Sequence, residues 1–277
     1  MRINLTTLCE NTAAEVGFLA EWGWSILVQV NGETVLFDTG MSSVAVRNAD
    51  KLGIDLHSID TLVLSHAHGD HTGGLREVLR RTGEVKVIAH PGIWDLKYKR
   101  RSAEEKADYN GIPFAREELE KFASFNLTKE PIHISENILT TGEIPITTDF
   151  ETTEPHFYLK QMGTFQHDSF ADDLALIVKT AKGLVVILGC AHRGMINTLR
   201  HARNLAGDER VYAVIGGTHL YPKNDDQIGK TIESLKEIDV QRIGVSHCTG
   251  FHAAMRLAQA FGDRFFFNNA GTITKID

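Results

Sequence analysis

In the first third of the chain, apolar and polar residues alternate in short runs. Residues 2–8 alternate, 24–30 are apolar and β-branched, and 33–38 follow across Asn31-Gly32. Period-two patterning predicts half-buried strands, and Asn-Gly between two of them predicts a tight hairpin, because both central turn residues need positive φ. Residues 61–65 (TLVLS) predict a buried strand that runs straight into His66-Ala67-His68-Gly69-Asp70-His71. Gly73-Gly74 then interrupts the chain, residues 75–81 take up helical spacing, and Val85–Ala89 is again strand-like.

The stretch 91–131 differs in character. DLKYKRRSAEEKADYN and AREELEKF carry charges at helical spacing on either side of Gly111-Ile112-Pro113-Phe114. They predict a two-helix insertion over one edge of the core, a candidate lid. Its basic run, Lys97, Lys99, Arg100 and Arg101, reads as a solvated helix face, with an anion clamp as the alternative. Beyond Leu174 the pattern becomes regular. LALIVKT and LVVILG form a strand pair, and VYAVIG, RIGVS, RFFF and TITKI are further strands. Between them, residues 194–206, 225–238 and 252–261 read as helices. This alternation predicts an α/β layered fold. Three late strands end in polar clusters, GCAH, GGTH and SHCTG, so functional groups are expected along one rim.

Composition narrows the picture. A chain of 277 residues that is 42% hydrophobic can bury a large core, and one domain over 1–277 is expected. A net charge of -7 argues against a polyanion-binding surface, so a small molecule rather than nucleic acid is the expected partner. The opening MRINLTTLCENTA lacks the pattern of a secretory signal, and no window approaches the ~20 apolar residues that cross a bilayer. Cys9, Cys190 and Cys248 are an odd, sparse set, which favours a reducing compartment; a cytoplasmic protein without a membrane partner is expected. Nothing in the pattern requires or forbids an oligomer.

HAHGDH carries the sharpest chemistry. Four metal-ligand side chains within six residues cannot all face one way on a strand or regular helix. On a tight loop His66 and His68 can face one point, while Asp70 and His71 face another close by. Such an arrangement suits two nearby divalent cations, zinc first among them and manganese or iron as alternatives. Gly69 is expected to supply the turn's backbone freedom.

With Asp38-Thr39-Gly40, a strand ending in Ser65, and Thr72-Gly73-Gly74 after HAHGDH, the sequence resembles the metallo-β-lactamase superfamily. That resemblance implies a four-layer αββα sandwich with a metal site along the shared edge of two sheets. TGEIP at 141–145, DDLALIV, LGCAHRGMINT, AVIGGTHL and SHCTG resemble one subgroup. It contains the dihydropterin ribofuranosylaminobenzene phosphate synthases of methanopterin-type biosynthesis and many uncharacterised bacterial relatives. The resemblance implies that His66 and His68 bind one metal, that Asp70 and His71 bind the second, and that His247 is the last metal histidine. For the third histidine, His192 leads, with Cys190, His167, Asp168 and Asp172 as alternatives. His219 is assigned to the metal or the substrate, His90 to the site or to a turn, and Asp38 to orienting a ligand imidazole. His57, His133, His156, His201 and His252 have no motif context, and Trp22, Trp24 and Trp94 read as packing, although Trp94 could line the pocket.

The chemistry expected is hydrolysis of a small, anionic ester, phosphoester or lactone by a hydroxide shared between two metals, with Asp70 able to accept a proton. The alternative within the same site is the synthase reaction, in which a pterin diphosphate loses diphosphate to an aminobenzene ribofuranose phosphate. An iron redox site and a metal-stabilised module without turnover are the remaining alternatives.

Overall fold

The structure is a computed structural model that describes residues 1–276 except 101, 103, 104, 208 and 209. Its frame is a pair of mixed sheets with the same plan. In the seven-stranded sheet, Ile273–Ile276, Ile3–Cys9, Ser25–Val30 and Glu33–Phe37 are antiparallel neighbours. Thr61–Val63, Val85–Ala89 and Ala123–Leu127 continue it in parallel. In the six-stranded sheet, Ile138–Thr140, Ala175–Thr180 and Gly183–Leu188 are antiparallel, and Val211–Gly217, Arg242–Ser246 and Phe265–Phe267 follow in parallel. The Asn31-Gly32 turn joins its two strands as expected, with both residues at positive φ.

Strand alternation divides the apolar residues into layers. Ile26, Val28, Val35 and Phe37 pack against Leu176, Val178, Val185 and Ile187 between the sheets. Leu27 and Leu36, one residue out of phase, instead face Val46, Ala49, Val78 and Leu79 of helices Val44–Lys51 and Leu75–Thr82. On the far side, Val186, Leu188 and Val214 meet helices Met195–Ala206, Asp225–Glu237 and Phe251–Phe261. The result is the αββα sandwich. Among the described residues, no helix is long and apolar enough to cross a membrane.

The stretch 91–131 departs from the two-helix expectation. Lys97–Lys99 and Asp108–Tyr109 are strands, and they join Phe157–Gln161 and Thr164–His167 in a separate four-stranded sheet. AREELEKF yields only the single turn Arg116–Leu119. Charge spacing misled here because the decisive contacts are across strands. Tyr98 meets Tyr109 and Phe165, with ring centroids 5.4 Å away in each case, and such pairs favour a pleated surface over a solvated helix. Lys97 is buried rather than solvated, whereas Arg101 lies outside the described residues.

Candidate metal centre

The HAHGDH loop is held from both sides. Behind strand Thr61–Val63 the chain reaches Ser65, whose backbone carbonyl accepts Leu174 N–H from the other sheet. Asp172 Oδ2 accepts the Ala67 N–H at 2.9 Å. The loop then coils into the short helix Gly69–Thr72, with His71 N–H donating to His68 O at 3.0 Å. Gly69, expected to supply the turn's backbone freedom, is not among the positive-φ glycines. The glycine requirement falls on Gly73 and Gly74 instead, where a Cβ would stand 2.1 Å from Met41 O and Thr39 O respectively. Only glycine lets the segment 39–42 pack this closely against the loop.

Side chains from both sheets converge beyond this loop. One ligand atom from each of His66, His68 and His192 lies within 4.8 Å of the others, and Asp70, His71 and His247 form a second such triad. Cys190 comes within the same distance of His66 and His71, so it sits between the triads. The Nε2 atoms of His66, His68 and His192 are buried and accept or donate no hydrogen bond among the described residues, and His247 Nε2 faces Asp70 Oδ2 at 3.2 Å. A buried polar atom without a partner is costly. Three of them gathered in one cluster are the signature of a cation site, and imidazole, carboxylate and thiol are donors that borderline divalent ions take.

The second half of the chain supplies its donor side chains from strand ends. His192 follows Gly183–Leu188, His219 follows Val211–Gly217, and His247 follows Arg242–Ser246. His219 and His247 themselves, with Ala191 and Asp38, are held at φ values between 46° and 59°. Non-glycine residues rarely adopt that region, and such strain gathers at functional sites.

Neighbouring groups set the charge states. Burial, reinforced by charge on neighbouring imidazoles and on Lys97, keeps His66, His68 and His192 well below the ordinary imidazole range, so their lone pairs stay free. For His71 burial also opposes charge, but Asp38 and Asp70 overcome it and push its pKa up to about 9. Asp38 Oδ2 lies 2.7 Å from His71 Nδ1 and also accepts from Ser65 Oγ at 2.6 Å. Asp38 thus orients an imidazole of the cluster. Burial alone would raise the Asp70 carboxyl, yet His71 and His247 hold it well below the usual carboxylate range. Trp22 Nε1 donates to Asp70 Oδ2 at 3.0 Å.

Other candidates have different places. Asp168 and Asp172 neutralise the buried Lys97 ammonium, at 2.8 and 2.6 Å, and take no part in the ligand groups. His90 caps a turn through Gly92 N–H and pairs with Glu143 at 2.9 Å. His167 bonds the Glu154 carbonyl. His219 does reach the cluster, its ring centroid 4.1 Å from that of His192. Trp94 packs on Phe125 rather than lining the cavity. No sequence motif marks Glu154, yet its Oε2 is 3.4 Å from His192 Nδ1 and 3.2 Å from His219 Nε2, with Lys223 on the other oxygen. Glu10 and Asn11, which hold His247 through its N–H and Nδ1 at 2.6 and 2.9 Å, were findable, because they too follow a strand end. Trp22 is half exposed at the cavity instead of packed.

The cavity in front of the cluster has a volume of about 230 Å³. Asp70, Cys190, His192 and His247 line one part, and Lys99, Asn110, His156 and Phe157 contribute a wall from the small sheet and its neighbours. Sandwich and site together define a metallo-β-lactamase-type fold with its donors on the shared sheet edge. The family model for the metallo-beta-lactamase superfamily matches residues 23–157. Over 99% of its length the chain is 33% identical to the 7,8-dihydropterin-6-methyl-4-(beta-D-ribofuranosyl)-aminobenzene-5'-phosphate synthase of Methanocaldococcus jannaschii, covering 96% of that protein. The chain therefore belongs to the metallo-β-lactamase superfamily and is an enzyme of that group. An uncharacterized protein of the same archaeon is 33% identical over 97% of this chain and 98% of its own length. A solved structure described as a metal-dependent hydrolase of the β-lactamase superfamily matches with a TM-score of 0.85 at 31% identity, with 99% of each chain covered.

Proposed function

We propose that the protein is a dinuclear metal-dependent hydrolase of a small, anionic ester, phosphoester or lactone. The observation that carries this reading is the set of three unpartnered, buried imidazole Nε2 atoms, those of His66, His68 and His192, gathered beside Asp70, Cys190 and His247. His66, His68 and His192 would hold one ion, and Asp70, His71 and His247 the other, with zinc the best match to the donors. Two such ions, when bound, polarise the attacked oxygen and make water a nucleophile near neutral pH.

The chain's own residues supply the remainder. Asp70 stays ionised and is fixed by Trp22. His219 lines the cavity, anchored at Nε2 by Glu154 and with Cys248 also beside its ring. From that position its imidazole can pass a proton to a leaving group in the cavity. Lys99 lines the cavity, its ammonium 5.5 Å from the Phe157 ring, and no ion pair to it is formed among the described residues. It is placed to attract an anionic substrate.

The full-length similarity to the archaeal synthase favours a second reading, displacement of diphosphate from a pterin by an aminobenzene ribofuranose phosphate. A panel of phosphomonoesters, phosphodiesters, lactones and thioesters separates the two. Metal-reconstituted protein is expected to turn over at least one class, with His68→Ala inactive. Turnover of none, together with diphosphate release from the pterin substrate pair, overturns the hydrolase reading.

A further inference from the structure

Two of the three cysteines meet at the donor cluster, although the sheet keeps their strands apart. Cys190 follows strand Gly183–Leu188 and Cys248 follows Arg242–Ser246, and Val211–Gly217 runs between those two strands. The thiols meet over the end of that middle strand. A Cβ at Gly217 would stand 2.8 Å from Cys248 Sγ and 3.3 Å from Cys190 Cα, so glycine keeps the space between them open. The two sulfurs lie within 4.8 Å of each other. Closing that gap to an S–S bond of about 2.05 Å takes under about 3 Å of movement, which two side chains turning about Cα–Cβ can share.

The two thiols have different neighbours. Cys190 Sγ is 3.1 Å from His71 Nε2 and within 4.8 Å of a ligand atom of His66, so it belongs to the donor cluster. Cys248 Sγ accepts the His219 N–H at 3.2 Å and lies 3.7 Å from the Cys190 carbonyl, which fixes it behind the first thiol. Both are nearly buried, yet both line the cavity of about 230 Å³, which admits a molecule little larger than water. Cys9 is instead enclosed between Gly40 and Glu21, its Sγ 3.4 Å from Glu21 Oε1.

We propose that Cys190 and Cys248 are a peroxide-sensitive thiol pair that closes to a reversible disulfide and so takes the Cys190 sulfur out of the donor cluster. The proposal holds whichever reaction the centre performs. Cys248 Sγ attacks one oxygen of hydrogen peroxide, the O–O bond breaks, and the other oxygen leaves as water, giving a sulfenic acid. Cys190 Sγ then attacks that sulfur, the S–O bond breaks, and a second water leaves with the Cys190 proton. The two sulfurs together give up two electrons, and the peroxide is reduced to two waters.

Mass spectrometry of zinc-loaded and chelator-treated protein after exposure to hydrogen peroxide tests this. The chain should become about 2 Da lighter and yield a peptide cross-linked through Cys190 and Cys248, and dithiothreitol should reverse both changes. Chelator competition on the oxidised protein should show zinc held at least about tenfold more weakly. In Cys248→Ser no cross-link should form, and Cys190 should take up oxygen instead, because it has lost the thiol that would resolve it. Retention of all three thiols in both preparations, oxygen addition without the cross-link in the unaltered chain, or a disulfide between two chains overturns the pair. A cross-linked protein that holds zinc as tightly as the reduced one also overturns the proposal, since the Cys190 sulfur would then play no part in the cluster.

Discussion

The two halves of the sandwich reach the same spot by different means. The first sheet delivers His66, His68, Asp70 and His71 on one loop that a short helix, two glycines and Asp172 hold in shape. The second delivers His192, His219 and His247 singly, from three successive strand ends. In the loop, spacing along the chain already places the donors near one another. At the strand ends nothing local does so, and the parallel register of Gly183–Leu188, Val211–Gly217 and Arg242–Ser246 brings them side by side. A site built in this way has a local half and a topological half, and each can be broken separately.

The largest effect should come from removing one donor from each half. His68→Ala and His192→Ala belong to the same triad, so each should lose a bound ion and cut turnover by more than the ~100-fold typical of losing an outer partner. Metal analysis with steady-state kinetics checks this; a His192→Ala protein with full metal content and turnover would detach the strand ends from the centre. Next, Lys97 is buried against Asp168 and Asp172, and Asp172 also holds the loop. Lys97→Met should strand two buried carboxylates and cost about 3–5 kcal/mol in urea unfolding. A cost below about 1 kcal/mol would mean that the small sheet does not brace the loop.

Orienting groups come third. Asp38→Asn, with its 2.7 Å contact to His71, should weaken metal binding by roughly 10–100-fold. Glu154→Gln, whose contact with His192 is 3.4 Å, should weaken it less. Chelator competition ranks the two, and the reverse order would make the second half the more tightly organised. The smallest effect is one of pH. Because the His71 pKa is raised from 6.5 to about 9, its charged form stabilises the metal-free chain fully below pH 6.5, and that contribution is lost as pH rises toward 9. A metal must displace the same proton, so its affinity should climb through this window and level off above it. Asp38→Asn should flatten the climb; an unchanged slope would remove Asp38 as its cause.

The stretch 91–131 shows where patterning loses force. Its charges sit at helical spacing, but Tyr98, Tyr109 and Phe165 find one another only when strands from three parts of the chain assemble. Glu154 illustrates the same point at the site, since its two histidine neighbours are 38 and 65 positions away along the chain. Trp22, by contrast, has the residue type of a packing side chain yet stands half exposed. Its exposure follows from the indole reaching out to Asp70.

Alternation of strand and helix patterns was sufficient to predict an α/β layered fold, and the crowding of four donors into HAHGDH was sufficient to mark one half of the donor cluster. Both are short-range consequences of backbone period and side-chain type. Which distant residues complete the cluster and which carboxylates neutralise Lys97 instead depended on sheet register. Register brings together groups that the chain itself keeps apart, so it exists only once the two sheets have packed.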